Sequence, residues 1–322
     1  MTQTGHCGRF APTPSGRLHL GNILCAMLSW LSVRAKGGRY ILRIEDLDAE
    51  RCPRSLADQM EDDLRWFGLD WDEGGSDGGD RWYQSCRFSI YERYYDELDR
   101  RGLLYPCFCS RAELHAAQAP HRSDGTYVYA RTCRSLTAEQ IAEKRKKRGA
   151  AMRLMVPDET ICFEDGCQGR QEENLERDCG DFIIRRSDGV FAYQLAVVVD
   201  DGLMGVTEVV RGQDLLGSTA RQLYLYRLLG FDAPAFYHIP LLTAPDGRRL
   251  SKREKDLDLG VLRQVYGRPE PIIGMLAQAC GLRETGRPVS LRELAQEFDW
   301  SRVSRQDIAL PPDILRAAEE HI

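Results

Sequence analysis

The segment Pro12-Thr-Pro-Ser-Gly-Arg-Leu-His-Leu-Gly-Asn22, running straight into Ile23-Leu-Cys-Ala-Met-Leu-Ser-Trp-Leu31, restricts the fold of this 322-residue chain more than any other stretch. Pro12, Pro14 and Gly16 oppose continuation of the extended segment that begins at Phe10. The apolar spacing from Leu18 to Val33 then predicts a helix, which Gly37-Gly38 stops. Arg39-Tyr-Ile-Leu-Arg-Ile44 is a β-rich run, so the opening unit reads strand, loop, helix, strand. A right-handed βαβ unit of this kind implies a parallel sheet.

A loop that leads into a helix start presents unpaired backbone N–H groups and the positive end of the helix dipole, a natural seat for phosphate. Ser15 and Gly16 permit close backbone approach, His19 can donate a hydrogen bond to a phosphate oxygen, and Gly21 leaves room for a flat base or ribose. The plainer alternative is a turn with a capping histidine. A second segment, Arg248-Arg-Leu-Ser-Lys-Arg253, follows the turn Pro245-Asp-Gly247. A lysine on such a loop suits charge that develops on a phosphate and then departs. Together the two segments read as the halves of an ATP site.

Between them the pattern predicts helices at 56–67, 90–101 and 137–148, a loop at 72–80, and strands at 181–186 and 206–210. The apolar run 195–199 reads as a buried central strand, and 219–229 as another helix. Four regions follow. Residues 1–100 and 185–254 are two halves of a nucleotide-binding domain. Residues 101–184 form an insertion, and 255–322 a proline-interrupted helical tail.

Charged residues make up 29% of the chain and apolar ones 43%, an ordinary globular balance, and no apolar run reaches the length of a membrane span. No secretion-type leader is evident at the N-terminus, so a cytoplasmic protein is expected. A net charge of −5 does not advertise a nucleic-acid binder, although a local basic face remains open. Lys144-Arg-Lys-Lys-Arg148 is the densest basic run and reads first as a solvated helix end.

Eleven cysteines in such a chain argue for reduced thiols and a metal rather than a disulfide framework. Cys107-Phe-Cys109 with Cys133 supplies three thiolates, one short of a closed tetrahedral zinc site, and spacing alone offers His121 or His115 as the fourth ligand. Cys162, Cys167 and Cys179 fit no zinc spacing and read as apolar filler.

The two ATP-type segments resemble the signature motifs of class I aminoacyl-tRNA synthetases, in the His19-Leu-Gly-Asn22 and Leu250-Ser-Lys-Arg253 forms. Arg9-Phe-Ala-Pro-Thr-Pro-Ser-Gly16, Leu42-Arg-Ile-Glu-Asp-Leu-Asp48, Tyr83-Gln-Ser85, Phe191-Ala-Tyr-Gln194 and Val210-Arg-Gly-Gln-Asp214 narrow the resemblance to the glutamyl branch. Within it the chain looks like the branch that modifies queuosine in tRNA(Asp), because residues 255–322 are too few for the large helical anticodon-binding domain of a full synthetase.

The resemblance implies an α/β fold: a split Rossmann-like parallel-sheet domain with a zinc-bearing α/β insertion and a short helical C-terminal region. It implies activation of L-glutamate by ATP with Mg²⁺, then transfer to queuosine in the anticodon loop of tRNA(Asp). A truncated glutamyl-tRNA synthetase charging a 3′ end is the alternative, and a non-catalytic remnant a more distant one. By the same resemblance Arg9, Phe10, Ala11, Pro12, Thr13, Glu45, Tyr193 and Arg211 line the glutamate pocket. His19, Gly21, Asn22, Ser251 and Lys252 serve ATP, with His19 and Lys252 at the reacting phosphates. The family pattern places Tyr129, four residues before Cys133, as the fourth zinc ligand, whereas an unusually long segment after Cys109 keeps His121 as a rival. A monomer is the default expectation.

Overall fold

The structure is a computed structural model that describes residues 5–110, 113, 128–243, 258–310 and 314. Its first strand, β1 (Cys7–Phe10), is buried along its whole length and pairs in parallel with β2 (Arg39–Leu42), in the register Cys7↔Arg39 to Phe10↔Leu42. The helix between them spans Leu20–Ala35. It can pack this tightly because of Gly8, where a Cβ would lie 2.3 Å from Cγ2 of Val33. β3 (Glu73–Gly74) extends the sheet beyond β2, so the acidic loop at 72–80 contributes a short strand and 3₁₀ turns. Helices Arg54–Trp66 and Phe88–Arg100 begin about two residues earlier than the apolar pattern indicates.

The next segment holds β4 (Leu104–Cys107), β5 (Ala151–Leu154), β6 (Thr160–Asp165), β7 (Gly169–Asn174) and β8 (Phe182–Arg185). β4, β5 and β8 form a separate antiparallel sheet. The β6–β7 hairpin instead joins the main sheet. The helix Ala138–Arg145 opens with a capping box, Thr137 and Gln140 each closing on the other's backbone N–H.

The chain then returns through β9 (Glu208–Gly212) and β10 (Ala235–Ile239), paired in parallel from Glu208↔Ala235 to Gly212↔Ile239. The main sheet has the order β3-β2-β1-β9-β10-β6-β7, all parallel except the last strand. Strand order reverses between β1 and β9. Such a switch point opens a crevice at the carboxyl ends of the strands.

Residues 195–199, expected as a strand, lie in the helix Tyr193–Met204. Leu195 to Val199 are 0–1% exposed, so the helix has no polar stripe along that stretch to betray a 3.6 period. Its stop signal was in the sequence: Gly205 ends it in the left-handed conformation, with φ 68°.

Helices Leu259–Tyr266, Glu270–Ala279 and Leu291–Gln296 pack on the first helix and share one apolar core with it, including Leu24, Leu31, Ile273 and Leu294. Trp300 Nε1 donates to Ser32 Oγ at 2.8 Å across this junction. β11 (Leu242–Thr243) and β12 (Ile308–Ala309) pair in parallel and tie the C-terminal segment back to the body. Among the described residues, no helix is long and apolar enough to cross a membrane.

Candidate active site

A cleft of about 710 Å³ opens at the carboxyl ends of β1, β9 and β10, where the strand order reverses. Arg9, Phe10, Ala11, Pro12, Thr13, His19, Gly21, Asn22, Glu45, Tyr193 and Arg211 all line it. Residues up to 202 positions apart in sequence thus meet in one cavity. Ser251 and Lys252 lie outside the described residues, as do His115 and His121.

One wall is the start of the helix Leu20–Ala35. His19 is its N-cap, and its Nδ1 accepts the backbone N–H of Gly21 at 3.1 Å. Both readings of His19 are therefore compatible. A neutral imidazole that accepts at Nδ1 carries its proton on Nε2, so the capping tautomer is also the donating one. Gly21 gives this contact room, because a Cβ there would lie a tight 3.1 Å from the His19 ring. Asp258, which lines the cleft opposite, forms a β-bridge to His19 and caps its own helix through Gly260 and Val261.

The other wall is charged and buried. Arg9 Nε donates to Asp201 at 3.3 Å, and Arg43 donates to both Asp201 at 2.5 Å and Glu45 at 3.0 Å. Asp200 beside them accepts from Gln84, Arg87 and Tyr91. Burial opposes ionisation of Asp201, yet Arg43 and Arg9 hold its carboxyl below the usual range. Burial pushes Glu45 upward against the pull of Arg43 and Arg9. The buried Glu45–Arg43 pair fixes the acid at the cleft wall. Burial raises the Tyr193 phenol, so that side chain faces the cavity as a neutral hydrogen-bonding group.

Arg211, 4% exposed, is held on every side. Its Nε donates to His238 Nε2 at 2.9 Å, Nη1 to Gln222 at 2.8 Å and Nη2 to Thr219 at 3.0 Å. Longer contacts reach Tyr193 at 3.5 Å and the Leu215 carbonyl at 3.4 Å. Sequence reasoning singled out Arg211 and met Arg43 only as a member of the Leu42–Asp48 string, but it named none of Asp201, His238, Gln222 and Thr219. These come from distant elements and carry no motif. The only sequence signal was a charged or polar residue within an otherwise apolar element.

The cysteine cluster lies apart from this cleft. The Sγ atoms of Cys107, Cys109 and Cys133 fall within 4.8 Å of one another, close enough to share one metal ion. The Tyr129 hydroxyl stands 3.4 Å from Cys107 Sγ and 3.7 Å from Cys109 Sγ, so its oxygen completes a four-donor group. Burial works against a Cys107 thiolate, but hydrogen bonds from Tyr129 and Arg153 bring the thiol below its ordinary value. Arg153 lies 3.7 Å over the Tyr129 ring. Three soft thiols and one oxygen suit a borderline-soft divalent cation. All eleven cysteines are free thiols. Cys167 and Cys179 are buried as expected of apolar filler, whereas Cys162 is exposed, because it lies on the outward face of β6.

The chain is similar to known proteins along most of its length. The family of class I tRNA synthetases (E and Q), catalytic domain, matches residues 7–310. A "Glutamyl-Q tRNA(Asp) synthetase" of Symbiobacterium thermophilum is 49% identical over 97% of this chain and 98% of its own. The protein of that name from Nitratidesulfovibrio vulgaris is 46% identical over 96% of both. A "Glutamate--tRNA ligase 1" of Halorhodospira halophila is 42% identical, and the match covers 97% of this chain but 66% of that protein. Among solved structures, a glutamate tRNA ligase from Elizabethkingia meningosepticum in complex with its amino acid superposes with a TM-score of 0.82 at 29% identity, covering 98% of this chain and 69% of that one. With its strand-end cleft, its helix-start histidine and this breadth of match, the chain belongs to the class I tRNA synthetase family of the E and Q type, in the glutamyl-Q tRNA(Asp) synthetase group.

Proposed function

We propose that this enzyme activates L-glutamate with ATP and transfers the glutamyl group to the queuosine base of tRNA(Asp). The observation that carries the activation step is the juxtaposition, in one cleft, of a phosphate-type helix start at His19–Gly21 and an arginine-and-acid pocket at Arg9, Glu45, Tyr193 and Arg211. Arginine forks suit carboxylates, and an acid suits an ammonium group. Arg9 and Arg211 then read the glutamate carboxylates, Glu45 its ammonium, and Tyr193 donates or accepts beside them. Phe10 to Thr13 form the floor.

The glutamate carboxylate attacks the α-phosphorus in line, and pyrophosphate leaves. His19 Nε2 and the Gly21–Asn22 backbone address ATP, with Ser251 and Lys252 assigned to the phosphates by family resemblance. Positioning and charge neutralisation supply most of the rate, with no covalent enzyme intermediate. Mg²⁺ bound with ATP would supply charge neutralisation at the phosphates. A single zinc ion held by Cys107, Cys109, Cys133 and Tyr129 has a structural role, since the cluster stands outside the cleft. The reading brings with it a cytoplasmic location and a monomer.

The acceptor rests on the two relatives of matching length. Glutamylation assays with tRNA(Asp) carrying queuosine and with tRNA(Glu), each digested to nucleosides and weighed by mass spectrometry, test it directly. Glutamate on queuosine is the expected product. Glutamate on the 3′ end of tRNA(Glu) would favour the truncated-synthetase alternative, and no glutamate-dependent pyrophosphate exchange at all would favour the non-catalytic one.

A further inference from the structure

Behind Arg211 lies a buried chain of three side chains from three strands. Asp165 on β6 meets His238 on β10, with Oδ2 and Nδ1 2.5 Å apart, and His238 Nε2 meets Arg211 Nε on β9 at 2.9 Å. Asp165 and His238 are 3% and 0% exposed. The arginine Nε–H can only donate, so Nε2 accepts, and the ring of a neutral His238 carries its proton on Nδ1, directed at Asp165. Each group fixes the next. Arg211 is thereby oriented through its Nε while its two Nη groups are turned toward Gln222, Thr219 and the Tyr193 hydroxyl at the cleft wall.

Resting on the reading of Arg211 as a glutamate-binding residue, we propose that Asp165 and His238 are positioning residues for substrate glutamate. They set the tautomer and the donor direction that hold the Arg211 fork. The logic is that of an aspartate that orients a histidine in a catalytic triad, transferred here from a nucleophile to a binding arginine.

The surroundings of Asp165 make the proposal testable with one isosteric change. Its Oδ1 accepts three backbone N–H groups, from Cys167 at 3.0 Å, Gln168 at 2.9 Å and His238 at 3.1 Å. In Asp165→Asn those three donors hold the amide oxygen at the Oδ1 position. The amide nitrogen must then face Nδ1 and donate to it. The imidazole proton is driven to Nε2, where it opposes the Nε–H of Arg211.

Glutamate affinity of D165N, measured by calorimetry on the full chain, is expected to fall about tenfold, the loss of one hydrogen bond to a charged group. The KM for ATP and the kcat of glutamate-dependent pyrophosphate exchange are expected to stay within about twofold. His238→Gln, which keeps an acceptor opposite Arg211, is expected to bind glutamate more tightly than His238→Leu, which has none. That pair decides the matter even where D165N does not fold. Wild-type glutamate affinity in D165N, equal losses in the two His238 variants, or glutamate and ATP parameters worsening together would each overturn the proposal. Arg211→Ala separates the underlying reading: undiminished glutamate binding in that variant sinks the assignment of Arg211 itself.

Discussion

Nη1 of Arg43 lies 2.5 Å from Oδ1 of Asp201, and both side chains are buried, at 0% and 2% exposure. Arg43 also holds Glu45 and approaches Asp200, so one guanidinium bridges three carboxylates behind the cleft, with Arg9 and Arg87 supplying further positive charge. Removing Arg43 strands buried charge. Arg43→Met is expected to destabilise the fold by about 3–5 kcal/mol, because an ion pair broken on one side leaves the other partner uncompensated. Urea unfolding measures this directly, and a change below about 1 kcal/mol would contradict the reading of the network.

His19 combines two tasks that substitution can separate. His19→Asn supplies another good helix cap but no Nε2–H, so its thermal midpoint is expected to match the wild type while pyrophosphate exchange falls about 10²–10³-fold. His19→Ala should lose the cap as well, at about 1 kcal/mol. Equal exchange rates for His19→Asn and the wild type would reduce His19 to a cap.

Asp63 on the second helix is fully buried, accepts from Arg17 at 2.8 Å, and has no partner for Oδ2 among the described residues. Burial outweighs Arg17 and pushes its carboxyl up to about 6. A carboxyl raised in the folded state contributes stability below its unfolded value near 4, and that contribution is lost as pH rises through 6. Asp63→Asn should therefore flatten the fall in stability between about pH 4 and pH 6. After screening by Arg17 and solvent, the difference at neutral pH amounts to about 1–2 kcal/mol in favour of the variant. Urea midpoints across that range give the answer, and parallel curves for the two proteins would refute it.

One zinc per chain is the expected result of elemental analysis on protein purified without chelators. Cys109→Ser and Tyr129→Phe each take one donor from the cluster, and both are expected to weaken metal retention, the thiol change more severely. Retention unaltered in Tyr129→Phe would pass the fourth position to another residue, His121 being the rival.

The cleft was legible because its members sit in short, locally distinctive strings. Pro12 to Asn22 announces a turn and a helix start whatever surrounds it, and Gly8 and Gly21 are small for reasons visible in the immediate packing. The helix Tyr193–Met204 was misread because burial erased its period, and three consecutive valines favour strand when context is ignored. Tyr193 still arrives in the cleft, since the first turn of a helix and the end of a strand can present a side chain to the same crevice. The β6–β7 hairpin escaped notice because β6 offers only Ile161 and Phe163 as an alternating apolar pair, and β7 has no apolar side chain at all. His238 and Asp165, 73 positions apart, have no local string to join them.

The short pairing of Leu242↔Ile308 and Thr243↔Ala309 has a bearing on the cleft. Leu242 lines the cleft beside Ile239 and Pro240, and its strand is held by a residue 66 positions further along the chain. Asp258, another lining residue, is fixed by its bridge to His19. The C-terminal segment therefore acts as a mooring for one side of the cavity: loosening β12 would let that side drift without altering a single residue of the cleft.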